Sequence, residues 1–192
     1  AGAGEAVYSS LGDKLRGRMP WLVVSALVML PATLVVLRFE ALIRDFVILA
    51  VFMPLIAALA GNAGHQALAV TLRGIVLDEV RRDRIAPLIR RELLVGMIGG
   101  LVLGTAMTLL LAMFSDGTGW RIGVVIAAAM TASMAVGTLS GAAIPLVMRR
   151  LGADPAQASA IFLVMVTDAV AFSTLLGFAA FFVHWLQGGV GA

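Results

Sequence analysis

The segment IFLVMVTDAVAFSTLLGFAAFFVHWL, residues 161–186, is long and apolar enough to cross a lipid bilayer as one helix. It carries a single acidic residue, Asp168, about two turns from its start. A carboxylate at that depth costs roughly 2.5–3.5 kcal/mol to insert, so it must face protein, water or an ion rather than lipid. Thr167, Ser173 and Thr174 add hydroxyl groups to the same helix. The rest of the chain must supply what Asp168 faces.

The composition is that of an integral membrane protein. Of the 192 residues, 61% are hydrophobic and 13% are charged, against roughly 45–50% and 25% in soluble domains. The apolar residues form long runs, and no polar block is large enough for a second, soluble domain. The absence of cysteine excludes disulfides, thiolate metal sites and a cysteine nucleophile. The net charge of +3 is explained by topology signals rather than by a nucleic-acid-binding surface.

Five apolar segments predict an all-α integral membrane protein with five transmembrane helices. Residues 1–19 are predicted to form a cytoplasmic N-terminal segment that includes an amphipathic surface helix. The transmembrane domain is predicted over residues 20–187 and an extracytoplasmic tail over 188–192. The spans are expected at residues 21–37, 46–72, 93–114, 120–148 and 161–186. We expect a kink at Pro31, and a bend or local break where the polar run GNAGHQ (61–66) interrupts the second span.

The distribution of basic residues predicts the orientation in the membrane. Eleven Lys and Arg residues lie in the N-terminal segment and in the second and fourth connections, and three lie in the first and third. Because the cytoplasmic side carries the excess of Lys and Arg, the N-terminus is predicted inside the cell and the C-terminus outside. The most charged stretch, residues 73–92, is interpreted either as a solvated loop with a short helix or as a regulatory contact.

Two spans carry glycine stripes typical of close helix packing. Gly96, Gly100 and Gly104 recur every four residues in the third span, and Gly137 and Gly141 repeat this spacing in the fourth. A small residue at every fourth position lets two helix backbones approach closely. We expect both stripes to pack within one protomer rather than to form the contact between two protomers.

Asp168 has a structural and a functional interpretation. In the structural one it is protonated and hydrogen-bonded within the helix bundle. In the functional one it is an ion ligand. One carboxylate holds a divalent ion poorly, whereas two carboxylates across a two-fold axis supply two negative charges, and homodimers are the commonest oligomers. Two such carboxylates would not both stay ionised without a counter-charge, which a divalent cation on the axis provides.

The run GNAGHQ offers further polar groups at mid-membrane depth. Asn62 and Gln66 are four residues apart and share a helix face, while Gly61 and Gly64 permit close approach and leave carbonyl oxygens accessible. Oxygen ligands suit a hydrated hard cation such as Mg²⁺. Hydrogen bonding between helices is the alternative interpretation. His65 would shift such a site towards transition metals if it were a ligand, but a single histidine is more often a hydrogen-bonded packing residue.

The chain has no constellation for intramembrane catalysis. An aspartyl protease needs two acids in separate spans, and only Asp168 lies deep in an apolar segment. A serine protease would want Gly-x-Ser-Gly on a helix, whereas residues 138–141 read Thr-Leu-Ser-Gly. The sequence therefore predicts that the protein is not an enzyme.

Two stretches resemble the MgtE family of magnesium channels and transporters. PLIAALAGNAGHQALAVTLRG (54–74) resembles the family's second transmembrane helix, and AAIPLVMRRLGADPAQASAIFLVMVTDAVAF (142–172) resembles the junction before its fifth helix and that helix itself. The resemblance implies a homodimer whose pore lies at the subunit interface, lined by helices two and five. It implies that Asp168 of each subunit holds a largely hydrated Mg²⁺, helped by the main-chain carbonyl of Val164. The residues that match the polar motif of helix two are Asn62, Gly64 and Gln66.

The chain departs from the family pattern near both motifs. Ala60 stands where the first of two glycines before Asn62 is usual, His65 stands where asparagine is usual, and Ala171 stands where glycine is usual. These changes keep the pore acid and bear on ion selectivity. The family's cytosolic regulatory domains have no counterpart in this sequence, which is interpreted either as part of a larger protein or as a minimal form.

The resulting hypothesis is a channel that moves hydrated Mg²⁺ across the cell membrane, with Mg²⁺ as the transported and pore-bound ion and no organic cofactor. The expected partners are a second copy of the chain, membrane lipid and the divalent cation, with no nucleic acid. The alternatives are a coupled carrier such as a Na⁺/Mg²⁺ exchanger, a transporter for another divalent metal, and a non-conducting assembly subunit in which Asp168 is structural.

Overall fold

The computed structural model describes residues 10–81, 84–114, 119–152 and 155–187, with the side chains of 155–158 excepted. The regular secondary structure within these ranges is helical. The helices are α1 (Leu11–Val28), α2 (Leu30–Arg38), α3 (Glu40–Asp45), α4 (Val47–Val76), α5 (Ile85–Phe114), α6 (Gly119–Arg150), α7 (Pro155–Phe181) and α8 (Val183–Gln187). The tail predicted at residues 188–192 and the residues before Ser10 lie outside the described part of the chain.

Five helical stretches within the described ranges are long and apolar enough to cross a membrane. They are Leu11–Arg38, Val47–Val76, Ile85–Phe114, Gly119–Arg150 and Ser159–Phe181. A helix rises about 1.5 Å per residue, so each of them exceeds the roughly 30 Å thickness of the hydrocarbon core. The predicted all-α architecture with five candidate spans is therefore confirmed.

The first candidate span is a helix in two parts. α1 continues through Pro20, so no boundary separates the segment predicted at residues 1–19 from the span once the helix has begun at Leu11. The helix breaks at Met29, and α2 follows with Pro31 in its first turn. Proline has no N–H to donate, and its ring clashes with the carbonyl four residues earlier. The helix is therefore interrupted at one residue, two positions before the proline at which the sequence predicts a kink.

The second candidate span is α4, a continuous helix of 30 residues that includes the run GNAGHQ. The local break expected at residues 61–66 is therefore wrong. Asn62, His65 and Gln66 project from the helix surface and are exposed, so they do not displace the main-chain hydrogen bonds of the helix. Gly64 is buried against α6, where its missing side chain permits close packing instead of a cavity.

α6 is the central helix of the protomer and packs against α4, α5 and α7. In the most apolar part of α6, 56% of the residues are buried inside the protomer, against 6% in the first candidate span. The largest fully buried apolar side chains include Leu49, Ile56, Ile126, Met130, Leu163, Leu175 and Leu176. These residues belong to α4, α6 and α7, so the hydrophobic core lies between these three helices.

The glycine stripes join α5 and α4 to neighbouring sides of α6. A Cβ atom added at Gly100 would lie 2.5 Å from the Cα atom of Thr131 on α6. A Cβ atom added at Gly137 would lie 2.5 Å from the carbonyl oxygen of Ala60 on α4. Both distances are well below ordinary van der Waals contact, so only glycine fits these crossings. The expectation that both stripes pack within one protomer is confirmed.

α4 and α5 both extend into the charged stretch 73–92 that was identified in the sequence. The connection between the two helices is therefore short, residues 77–84. Asp78 has a φ of 52°, and the N–H of Glu79 donates to the carbonyl oxygen of Gly74 at 2.9 Å. This left-handed turn closes the C-terminal end of α4. Arg149, near the end of α6, lies 3.6 Å from the Asp78 carboxylate. The ends of α4 and α6 and the start of α5 therefore lie on one side of the bundle.

Candidate ion-binding site

Asp168 lies near the middle of α7, the helix that contacts α2, α4 and α6. Its side chain is partly exposed on the protomer rather than enclosed in the bundle. Within the described part of the chain, the carboxyl group has no hydrogen-bond or ion-pair partner. The structure thus places an unpartnered carboxyl group on the protomer surface, inside a helix that is apolar enough to span a membrane.

One side of α7 is packed into the protomer and the other is left open. The packed side includes a buried residue at every fourth position, at Leu163, Thr167, Ala171, Leu175 and Ala179. Val164 is 37% exposed and precedes Asp168 by one turn, so the two residues share a face of the helix. Ser173 and Phe181 are exposed further along α7. The exposed face that carries the acid therefore includes Val164 and Asp168, whereas Ser173, five residues after the acid, is turned about 140° away from it.

Thr167, the residue before Asp168, is hydrogen-bonded to the main chain of α7 and packs against α4. Its hydroxyl donates to the carbonyl oxygens of Leu163 at 3.0 Å and Val164 at 3.1 Å. A Cβ atom added at Gly61 would lie 3.7 Å from the Thr167 hydroxyl oxygen. The run GNAGHQ thus begins where α4 contacts α7, at the residue next to Asp168. The sequence showed Thr167 only as a neighbouring hydroxyl and not as this contact.

The polar residues of α4 do not all face α7. Asn62 is exposed one residue after the Gly61 contact. The Nδ1–H of His65 donates to the carbonyl oxygen of Gly61 at 2.7 Å. Gly64 is buried, and a Cβ atom added there would lie 2.8 Å from the carbonyl oxygen of Gly137. Gly64 therefore brings α4 and α6 together.

Gln66 lines a cavity of about 360 Å³ whose described walls come from α4, α5 and α6. The same cavity is lined by Glu92, which the sequence had placed in the charged connection and which the structure places in α5. The hydroxyl of Thr138 donates to the main-chain carbonyl of Glu92 at 2.7 Å, which ties α5 to α6 beside this cavity. No local signal marked Glu92 as a cavity residue, because its neighbours are distant in sequence.

Two polar residues within the bundle form a further contact. The hydroxyl oxygens of Ser133 on α6 and Thr174 on α7 lie 2.8 Å apart. Hydrogen bonds of this kind between membrane helices contribute about 0.6 kcal/mol on average. This contact holds α7 in its rotation about its own axis, and so helps to keep Asp168 at the open face.

Comparison with known proteins gives concordant matches. Residues 53–178 match the MgtE family, described as a divalent cation transporter. The magnesium transporter MgtE of Bacillus subtilis is 30% identical over 169 residues, and that of Enterococcus faecalis is 32% identical over 168. The magnesium transporter MgtE of Thermus thermophilus is 28% identical over 180 residues. These matches cover 88%, 88% and 91% of this chain, which spans 37%, 37% and 39% of the respective relatives.

Proposed function

The chain belongs to the MgtE family of divalent cation transporters, and on this basis we propose that it moves hydrated Mg²⁺ across the cell membrane through a pore on the axis of a homodimer. The five candidate spans make it a multi-pass membrane protein. The substrate is proposed from the magnesium transporters that it resembles. Transport of an ion breaks no covalent bond, so we propose no enzymatic activity.

The position of Asp168 is the observation that carries this proposal. The carboxyl group is partly exposed, has no partner among the described residues, and lies mid-way along an apolar helix. A lone protomer in a bilayer would hold this group against lipid, at a cost of about 2.5–3.5 kcal/mol or more. A second copy of the chain removes this cost if the two open faces of α7 enclose a water-filled seam.

Two Asp168 carboxylates in such a seam repel each other unless a cation lies between them. Within the described ranges, no group of three or more His, Cys, Asp or Glu side chains is placed to hold a metal ion. This favours a site that is completed by the partner subunit and by water. Mg²⁺ fits that site, because it prefers oxygen ligands, loses its waters reluctantly and is commonly held by one or two carboxylates.

The remaining predicted ligands take supporting positions in this proposal. The carbonyl oxygen of Val164 has two lone pairs, and the Thr167 hydroxyl donates to it at 3.1 Å, so rotation of that hydroxyl frees one of them for the ion or its water. Asn62 presents an amide to the same water shell, and Gln66 presents one at the cavity beside α5. Gly64 acts by permitting the close packing of α4 on α6.

We propose the orientation that the basic residues predict, with the N-terminal segment on the cytoplasmic side and the C-terminal tail outside. The ends of α4 and α6 are then cytoplasmic. Because the chain spans less than two fifths of the relatives that it matches, a cytosolic regulatory domain of a longer protein is proposed as a partner of this side.

The experiment is Mg²⁺ uptake into proteoliposomes that contain a fluorescent indicator. Asp168→Asn is expected to lower the flux by about a hundredfold or more, because each charge-assisted contact contributes about 1.5–3 kcal/mol, the dimer loses two, and about 1.4 kcal/mol corresponds to a tenfold change. Asp45→Asn is the matched control, since it makes the same chemical change at the exposed end of α3. Unchanged uptake by the Asp168 variant, with the dimer intact by size-exclusion chromatography, would refute the ion-ligand role.

The same preparation distinguishes a channel from the carrier alternative. A channel is expected to give resolvable unitary currents in planar bilayers. A Na⁺/Mg²⁺ exchanger would instead show Mg²⁺ flux in fixed proportion to a sodium gradient, and a transporter for another divalent metal would show that metal to be taken up in preference to Mg²⁺.

A further inference from the structure

We propose that a cavity between the end of α4 and the start of α5 binds a phosphate group, carried either by a lipid headgroup or by a soluble phosphate compound. The cavity has a volume of about 780 Å³, which lies within the roughly 300–1,000 Å³ range of ligand pockets. The polar residues that line it, within the described part of the chain, are Thr71, Glu79, Arg81, Arg84 and Arg91. No described residue of α7 lines it, so the site is separate from Asp168 and does not rest on the proposed pore.

Thr71 is the residue that points to a ligand. Its side chain is 2% exposed and lines the cavity, and its hydroxyl has no hydrogen-bond partner among the described residues. Buried hydroxyl groups are normally hydrogen-bonded. The other described threonines all donate to the carbonyl oxygen four residues earlier; they are Thr33, Thr105, Thr108, Thr131, Thr138, Thr167 and Thr174. Thr71 departs from this pattern at the wall of the cavity.

The charges around the cavity select an anion. Among the described residues, three guanidinium groups line it, those of Arg81, Arg84 and Arg91, together with one carboxylate, that of Glu79. The planar guanidinium group matches pairs of phosphate oxygens, so arginine is favoured wherever a phosphate is bound. α5 begins at Ile85, immediately after Arg84, and the main-chain N–H groups of a helix start add positive potential at the same place.

Apolar residues complete the cavity and favour an amphiphilic ligand. Val70, Val80 and Leu88 line its walls beside the charged groups. The cavity lies where α4 ends and α5 begins, the side that we propose to be cytoplasmic. Basic pockets between membrane helices on that side are suited to phosphate-bearing lipid headgroups. A lipid would place its phosphate between the arginines and Thr71 and its chains along the apolar wall.

The test measures binding of two probes to the purified chain in detergent. The probes are dioctanoyl phosphatidylglycerol, followed by native mass spectrometry, and inorganic phosphate, followed by calorimetry. Arg84→Gln and Arg91→Gln are each expected to weaken binding about tenfold, and Thr71→Val about fivefold. Thr71→Ser restores the hydroxyl group and is expected to restore affinity. Arg150→Gln is the matched control, because Arg150 ends α6 on the same side of the bundle and does not line the cavity.

The outcomes separate the sources of the phosphate. Variant-sensitive binding of phosphatidylglycerol alone identifies a lipid site, and variant-sensitive binding of inorganic phosphate identifies a soluble anion site. Both results support the proposal. The proposal would be overturned if neither probe bound. It would also be overturned if Arg150→Gln weakened binding as much as the cavity variants do, because that would show a general effect of surface charge. An unchanged affinity in both Thr71→Val and Arg84→Gln would also overturn it.

Discussion

Replacing Gly137 with alanine is expected to force α4 and α6 apart. The added methyl group would lie 2.5 Å from the carbonyl oxygen of Ala60, which is 0.9 Å short of the 3.4 Å at which ordinary contacts begin. That oxygen belongs to the main chain of a continuous helix, so it cannot rotate aside as a flexible side chain would. The two helices must therefore separate along their whole crossing.

The structure sets the size of this effect. Inserting a methyl group into a packed contact costs about 1–3 kcal/mol, and in a chain of this length each kcal/mol changes the melting temperature by roughly 2–4 °C. We therefore expect a loss of about 2–12 °C in Gly137→Ala. Because Gly64 of α4 contacts Gly137 directly, the displacement also moves Asn62, and Mg²⁺ flux is expected to fall at temperatures where the protein is still folded.

Thermal unfolding in detergent, followed by the fluorescence of the three tryptophans, measures this change. Gly17→Ala is the matched control, because a Cβ atom at Gly17 of α1 would meet nothing within 4 Å. Alanine favours a helix over glycine by about 1 kcal/mol, so the control is expected to melt at or above the wild-type temperature. If Gly137→Ala melted as high as the control, the packing explanation of the glycine stripes would be refuted.

Three further predictions address the proposed dimer, the end of the bundle where α6 begins, and ion selectivity. Val164→Cys is expected to form a disulfide-linked dimer on mild oxidation, because the chain has no other cysteine and Val164 shares the exposed face of Asp168 that is proposed at the seam. Leu101→Cys, 59% exposed on α5, is expected to stay monomeric on a non-reducing gel, and equal cross-linking of both variants would contradict that seam. Arg121→Gln is expected to lower the free energy of unfolding by about 1–2 kcal/mol. The Nη1 group of Arg121 donates to the carbonyl oxygen of Trp185 at 2.8 Å, and its guanidinium carbon lies 5.7 Å from the ring centroid of Trp185. An unchanged denaturation midpoint would show that this contact adds no stability. His65→Asn is expected to shift ion preference from Ni²⁺ and Co²⁺ towards Mg²⁺, because it removes an exposed imidazole nitrogen beside the proposed water shell. If Ni²⁺ and Co²⁺ competed with Mg²⁺ uptake equally well before and after the change, His65 would have no part in ion selectivity.

The number of spans and the position of the acid could be predicted from the sequence. Insertion of a helix depends mainly on the length and polarity of its own segment, and these are local properties. The same holds for the break near Pro31, since proline acts on the carbonyl four residues before it. The glycine stripes on α5 and α6 were predictable for a similar reason, because spacing along one helix decides which residues share a face.

Only the tertiary structure decided what each polar side chain contacts. α4 stays continuous through GNAGHQ because Gly64 packs against α6, a partner more than seventy residues away in sequence. Glu92 and Gln66 line the same cavity, although they belong to different helices. Thr71 is the one described threonine whose hydroxyl has no carbonyl partner. Neither fact can be read from the local sequence around the residue. The physical reason is that burial and hydrogen bonding are set by neighbouring helices, whereas the apolar length that makes a span is set by the segment itself.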